Sequence, residues 1–439
     1  MERRDDLARV HVSGITFDFE YGELWRGIHR RNPLSFKKPY SWIVYKDRDV
    51  YMAEDWRGRI RYEDDDAKEV IQTLFNTSIG LIAFLPAVYE ISDTIYPRRT
   101  ITLIGVGDYK AGVNEPTGVV LKATGDFPIF NVGGDGTYVE NFKLFDLCLD
   151  GNDTASVLFK QSGGYRIHLI SCELCRFTGY GIYQTGGGEL QVHRCRLNSS
   201  KSTQADYGIY AGSDAILKAN IIRGCKTGIR AGSGSLVEGN HPYAWELTLE
   251  VGIEAYSSAT VVNNYIDNYS VCGIKGIDCH GVVIKNNRLA TKGDLGTGDF
   301  PFILLDLSSA GTLYNVVITG NRGAPRSGTT VNEAISRGSN VTGFGGTCII
   351  KDNSLEASAI GLLTVNSGVA TFSGDGSTTT FNIEHGLLST PSKYVVSPLT
   401  PDADASRTIT VDDTYITITF DTAPPSGTDN VKFGWWAEV

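Results

Sequence analysis

The sequence predicts an all-β chain whose central part is a solenoid of stacked parallel coils, and three observations predict it. Fifty of the 439 residues are glycine, with neither a collagen period nor a low-complexity run, so the glycines act as punctuation between elements. A short apolar phrase recurs as GIYQ at Gly181, GIYA at Gly208, GIRA at Gly228, GIEA at Gly252 and GIKG at Gly273. A second phrase, apolar-x-x-Asn-x-apolar, alternates with it. Its corner is occupied by Cys172, Cys195, Asn220, Asn240, Asn264, Asn287, Asn321 and Asn353. Such internal periods are the signature of solenoids.

Each element follows from its residues. Both phrases are short, β-branched and bounded by Gly, Asn, Asp or Ser, which is the strand signal, and helical periodicity is missing from this region. The corner Asn is expected to take a left-handed conformation and to hydrogen-bond along the stack as Asn ladders do. Corner-to-corner steps are 23, 25, 20, 24 and 23 residues, then 34 and 32; the last two have room for a coil plus an insertion. One period is therefore a strand, an Asn corner, a second strand, a variable loop, the GI strand and a turn. Ahead of the coils, EDDDAKEVIQTLF offers an Asp N-cap and apolar Ala67, Val70, Ile71, Leu74 and Phe75 at helical spacing. FLPAVYEISDTI and TLIGVG read as the first strands.

These coils resemble the right-handed parallel β-helix of the pectate-lyase-like superfamily, which includes polysaccharide-degrading enzymes and viral tailspikes. The order of capping helix, Pro-containing strand, TLxGxG turn and coils supports the resemblance over roughly residues 63–368. The helix is expected to cover the open end of the stack. The domains read as an arm and hairpin over 1–62, the β-helix over 63–368, and a small β-sandwich over 369–439. The hairpin is SWIVYKDRDVYMAEDWRGRIRY around a KDRD turn. The arm carries Trp25, Arg26, His29, Arg30 and Arg31 and is expected to contact another subunit. Five strand-like segments form the sandwich, and its GDGSTTTFNIEHGL opening resembles C-terminal modules of viral tail proteins that bind glycan or hold a trimer together.

Composition bounds the function. The net charge of −10 argues against nucleic acid. No apolar run is long enough for a membrane helix, and MERRDDLARVHVSG has no signal-peptide core. By analogy the resemblance implies an extracellular or virion-associated protein and a homo-oligomer, a trimer first. GVGDYKAG lacks the third glycine and the helix of a dinucleotide fingerprint. CELC at 172–175 is a lone CxxC with no second pair, so no zinc site is expected.

The resemblance places the substrate groove on the GI strand. If each Ile points inward, Tyr183, Tyr210, Arg230, Glu254 and Lys275 point outward in one column, five rungs spanning roughly 19 Å. The glycines two residues earlier are expected to face outward as a smooth floor, with Asp206, Lys226 and Glu250 beyond them. Tyr183, Tyr210, Tyr256, Trp245 and Asp206 are the expected sugar-binding residues. Catalysis is expected from Glu254, Glu250, Asp278, Arg230 and Lys275. A glycosidase needs two carboxylates about 5.5 Å apart for retention or about 6.5–9.5 Å for inversion. Glu254 and Glu250 stand roughly 13 Å apart in an extended strand, so Glu246, Asp278 and Asp206 are further partners. Between two cations Glu254 is expected to be ionised.

The single DCHG at 278–281 lacks the clustered aspartates and GHG of polygalacturonases. A lyase would instead use Arg230, Lys275 and Tyr210, with calcium held by Glu254 and Glu250; hydrolysis needs no cofactor. His241 and His280 are loop histidines. The leading expectation is a polysaccharide-cleaving enzyme, hydrolysis slightly ahead of elimination. The other class is a non-catalytic glycan-binding or structural spike in which Arg230, Glu254 and Lys275 form a charge-alternating ladder.

Overall fold

A computed structural model describes residues 7–12, 15–20, 40–106, 118–244 and 247–439. The chain divides into two units, 1–39 and 40–439. In the first, Leu7–Val12 pairs antiparallel with Ile15–Glu20; the arm's Trp25, Arg26, His29, Arg30 and Arg31 lie outside the described residues, as does GVGDYKAG from residue 107 onward.

The second unit opens with an antiparallel meander, Trp42–Asp47, Val50–Asp55 and Ile60–Asp64. This is one strand more than the expected hairpin. The third strand is held at Asp55, a buried carboxylate that accepts from Arg59 and Arg61 and is kept ionised by them against its burial. The helix Ala67–Thr77 follows, with Asp66 accepting from the Lys68 amide as N-cap. Its Ala67, Val70, Ile71, Leu74 and Phe75 are all buried. Phe75 packs on Phe130 and Phe142 at centroid distances of 6.2 and 5.8 Å, so the helix seats on the first coils.

The coils are parallel throughout. One 14-stranded sheet collects the strands before the corner, from Gly80–Phe84 to Ile349–Lys351, together with the meander. A 20-stranded sheet collects the strands after the corner and the GI strands. The long steps hold extra strands: Gly296–Gly298 pairs with Thr329–Val331, and Gly311–Tyr314 with Val341–Gly345.

The corner asparagines from Asn220 to Asn321 are buried, Asn353 is half-buried, and together they form a ladder. Asn264 donates from its amide Nδ2 to the carbonyls of Val237 (2.9 Å) and Val262 (3.0 Å) and to Asn287 Oδ1 (3.0 Å). Its own Oδ1 accepts from the backbone N–H and Nδ2 of Asn240 at 2.8 and 3.1 Å. The pattern runs from Asn220 to Asn353, and the Cys195 amide joins it by donating to Asn220 Oδ1. One expectation is corrected. The left-handed residue is the one before each corner, with φ of 53 to 70° at Ser171, Arg194, Ala219, Gly239, Asn263, Asn286, Gly320 and Asp352. The ladder amide must point inward, so the kink falls on its neighbour.

The C-terminal segment forms two three-stranded antiparallel sheets, Val365–Gly374 with Gly427–Glu438 and Lys393–Pro398, and Thr380–Glu384 with Tyr415–Phe420 and Arg407–Val411. Phe381, Ile383, Ile418 and Phe420 of one sheet share a core with Val431, Phe433 and Ala437 of the other. Six strands thus replace the five read from sequence. The added strand, Val365–Gly374, begins before residue 369 and joins directly to the last coil, where the Val439 amide donates to Thr364 O.

Candidate functional site

The GI strands lie in the register that their phrase implies. Lys160, Tyr183, Tyr210, Arg230, Glu254, Lys275 and Leu304 are successive Cα partners. The isoleucines beside them, Ile182, Ile209, Ile229, Ile253 and Ile274, are fully buried.

The glycine floor is not there. A Cβ on Gly252 would lie 2.3 Å from Ile266 Cγ2 and 2.5 Å from Gly273 O, and one on Gly208 would lie 2.2 Å from Ile222 Cγ2. Each glycine faces the apolar residue after the corner of the next coil, where nothing larger fits. Glycine and isoleucine are thus both turned inward and the strict alternation of an extended strand is broken. Gly252→Ala is therefore expected to cost about 1–3 kcal/mol by overpacking, read as a lowered urea midpoint. An outward floor would leave stability unchanged.

The residues before the glycines form a further row in register, half-exposed at Tyr180 and Tyr207 and buried at Thr227, Val251 and Cys272. Tyr180 and Tyr183 stack at 4.3 Å, Tyr180 and Tyr207 at 5.6 Å, and Tyr210 stands edge-on to Tyr183 and Tyr207 at 5.1 and 5.2 Å. Tyr180 and Tyr207 were missed in the sequence, although YGIY occurs twice, at 180 and at 207; strict period-two reading had assigned the outward place to glycine.

Glu254 is half-buried at the end of this array. Tyr207 reaches over the small Thr227 and donates to Glu254 Oε2 at 3.5 Å. Burial pushes the Glu254 carboxyl above its ordinary value, outweighing Lys275, Arg230 and the Tyr207 hydrogen bond, which pull it down. The two expected cations do pull the carboxyl down, but burial, which the expectation left out, pulls the other way and is the larger effect. The Tyr207 phenol is itself held protonated by burial and by the Glu254 charge.

Arg230 is gripped between rings, 4.1 Å from the Tyr210 centroid and 4.4 Å from that of Tyr256. Lys275 Nζ is 3.7 Å from Asp306 Oδ2, whose other oxygen accepts from the Leu307 amide. Asp306 is a third residue missed, because FILLDL hides the rung behind an apolar run with no GI phrase.

The remaining candidates are placed as follows. Asp206 pairs with Lys226 at 2.8 Å on the exposed side. Glu250 is half-buried on the strand of Glu254, Leu249–Ala255. Asp278 sits in the following turn, accepting from the amide and hydroxyl of Ser308 at 2.9 and 3.0 Å. Trp245 and Glu246 lie outside the described residues. His280 accepts from the Tyr314 amide, while His241, expected in a loop, lies on the strand His241–Tyr243 and stacks between Tyr243 and Tyr265. Cys172 occupies a corner, while Cys175 lies against Cys148 with sulfurs 3.7 Å apart, and all eight cysteines are free thiols. Among the described residues no group of three His, Cys, Asp or Glu is placed to hold a metal ion, and no helix is long and apolar enough to cross a membrane.

The family model described as a right handed beta helix region matches residues 155–296, the coils that carry this face. No curated protein matches the chain. Among solved structures, the chain is similar to the A-module of a mannuronan C-5 epimerase from Azotobacter vinelandii, at 15% identity and a TM-score of 0.43, over 67% of this chain and 95% of that one. An alginate lyase from Paenibacillus sp. gives 14% identity and 0.40, over 62% and 96%. A tailspike of Acinetobacter baumannii bacteriophage Fri1, a capsular polysaccharide depolymerase, gives 10% and 0.34, over 84% and 82%. At such identities and TM-scores none of these likenesses says what this chain does. With its parallel registers, its Asn ladder and the family match over residues 155–296, the central part of this chain is a right-handed parallel β-helix.

Proposed function

We propose that this protein cleaves an extended polysaccharide lying along the GI face, by glycoside hydrolysis with Glu254 as general acid. The observation that carries this is Glu254 itself, a half-buried carboxyl pushed up by its surroundings and held by Tyr207. It stands at the end of a platform of Tyr180, Tyr183, Tyr207 and Tyr210, where sugar rings can stack. A raised carboxyl is the form that donates a proton to a leaving oxygen. The second carboxylate is assigned to Asp306, two rungs and two residues away, roughly 12 Å between Cα atoms. Two side chains leaning together close this to the about 6.5–9.5 Å of an inverting pair. Arg230 and Lys275 would hold hydroxyls or acidic groups of the chain. No cofactor is needed.

Elimination is the second reading, favoured by Arg230, whose grip between two rings fixes a cation where a uronate carboxylate would be neutralised. The third is a glycan-binding or structural spike without catalysis, for which a homotrimer, tested by sedimentation, is the proposed state. Incubation with neutral and uronate polysaccharides separates the three. Hydrolysis releases reducing ends without ultraviolet absorbance, and elimination adds the absorbance of unsaturated products. Silence from folded protein across the panel overturns both enzymatic readings.

A further inference from the structure

A different face of the coils carries a second charged feature. The strands after the Asn corners present the outward column Arg196, Ile221, His241, Tyr265, Arg288, Arg322 and Ser354. Arg288 and Arg322 are Cα partners on adjacent rungs, about 4.8 Å apart, and both are exposed. Like charges directly opposite one another destabilise a sheet, and solenoids relieve this with alternating signs, as at Arg230, Glu254 and Lys275. Here nothing relieves it. Among the described residues neither arginine is in ion-pair contact with a carboxylate, and the nearby Asp267 is already committed to Arg326 and the Tyr265 hydroxyl.

The pair is also organised. The Arg288 guanidinium lies over the Tyr265 ring at 5.0 Å. Tyr265 is stacked on His241 at 4.6 Å, and His241 on Tyr243 at 4.7 Å. Tyr265 thus supports one face of the guanidinium, while its in-plane N–H fork matches the two oxygens of an oxyanion.

We infer that Arg288 and Arg322, on the Tyr265–His241–Tyr243 stack, form a second binding surface for an acidic glycan, whose carboxylate or sulfate groups bridge the two guanidinium groups. A glycan is favoured over nucleic acid because the chain is acidic overall, at −10, and two adjacent cations fit spaced anions better than a continuous phosphate backbone. The surface is separate from the GI face, so an accessory grip on a long chain does not require Glu254 to be catalytic.

The test is calorimetric titration in the Glu254→Gln background, which prevents turnover, using octagalacturonate, a sulfated octasaccharide, a neutral glucose octasaccharide, inorganic sulfate and a single-stranded oligonucleotide. Binding of either acidic octasaccharide is expected, weakened at least tenfold by Arg288→Gln and by Arg322→Gln but unchanged by Arg166→Gln, an exposed arginine already paired with Glu140 and Glu189; which one binds names the anion. At low salt without ligand, both arginine variants should melt no lower than their parent, since repulsion is removed. Affinity indifferent to both arginines, equal loss with Arg166→Gln, binding of the neutral or inorganic probe alone, preference for the oligonucleotide, or lowered melting of the arginine variants would each overturn the assignment.

Discussion

Glu254→Gln is expected to lower polysaccharide cleavage by a factor of about 10²–10⁴, the usual worth of a positioned general acid, while leaving the fold intact. The pH dependence carries the sign. Because burial raises the folded-state pKa of Glu254, the folded protein holds this proton more tightly than the unfolded chain does. Stability therefore falls as pH rises from the ordinary glutamate value through the raised one. The glutamine variant lacks that loss, so at neutral pH it should melt no lower than wild type. Any gap should close below the ordinary glutamate value, where both side chains are neutral. Activity should fall along the same alkaline limb, since only the protonated acid donates. Thermal melts and rate–pH profiles of both proteins check this. A variant with full activity would remove Glu254 from the mechanism, and a large loss of stability would make it structural.

Asn264→Ala should produce the largest loss of stability, about 3–5 kcal/mol. The substitution takes the acceptor from the buried Asn240 N–H and removes five hydrogen bonds in all, although Asn240 Nδ2 keeps the Leu217 carbonyl and the Val262 carbonyl keeps the Gly239 N–H. Each buried group left unsatisfied costs about 1–3 kcal/mol. The neighbouring Asn263→Gly is the control. Asn263 is exposed with φ 58°, a conformation that glycine adopts freely, so its change should be near neutral. Urea titrations of the two variants separate the roles of two adjacent asparagines that look alike in VNNYI. Equal effects would mean that the ladder is not what holds the corner.

Much of this was legible in the chain. A solenoid repeats one local solution, so the alternation of GI and Asn phrases specified the corner residues Cys172 to Asn353, the inward isoleucines and the column from Tyr183 to Lys275. The capping helix was equally readable, because Asp66 and five apolar residues at helical spacing act within a single element. The glycine column was not. Its direction depends on Ile222, Pro242 and Ile266, which belong to the next coil and close against the glycines only after stacking.

The upward shift of the Glu254 carboxyl belongs to the same class. Sequence spacing placed Arg230 and Lys275 on either side of it, and neighbouring charges are local facts. Desolvation is not local; it depends on how the coils pack around the carboxyl. Asp306 and the Arg288–Arg322 pair likewise became visible only when coils 29 and 34 residues apart in the chain were laid in register. The sequence by itself determined the repeat, the corners and which residue types face outward, since these follow from short-range periodicity. The tertiary structure decided which outward residues meet and how far they are withdrawn from water, because both are properties of contacts between coils.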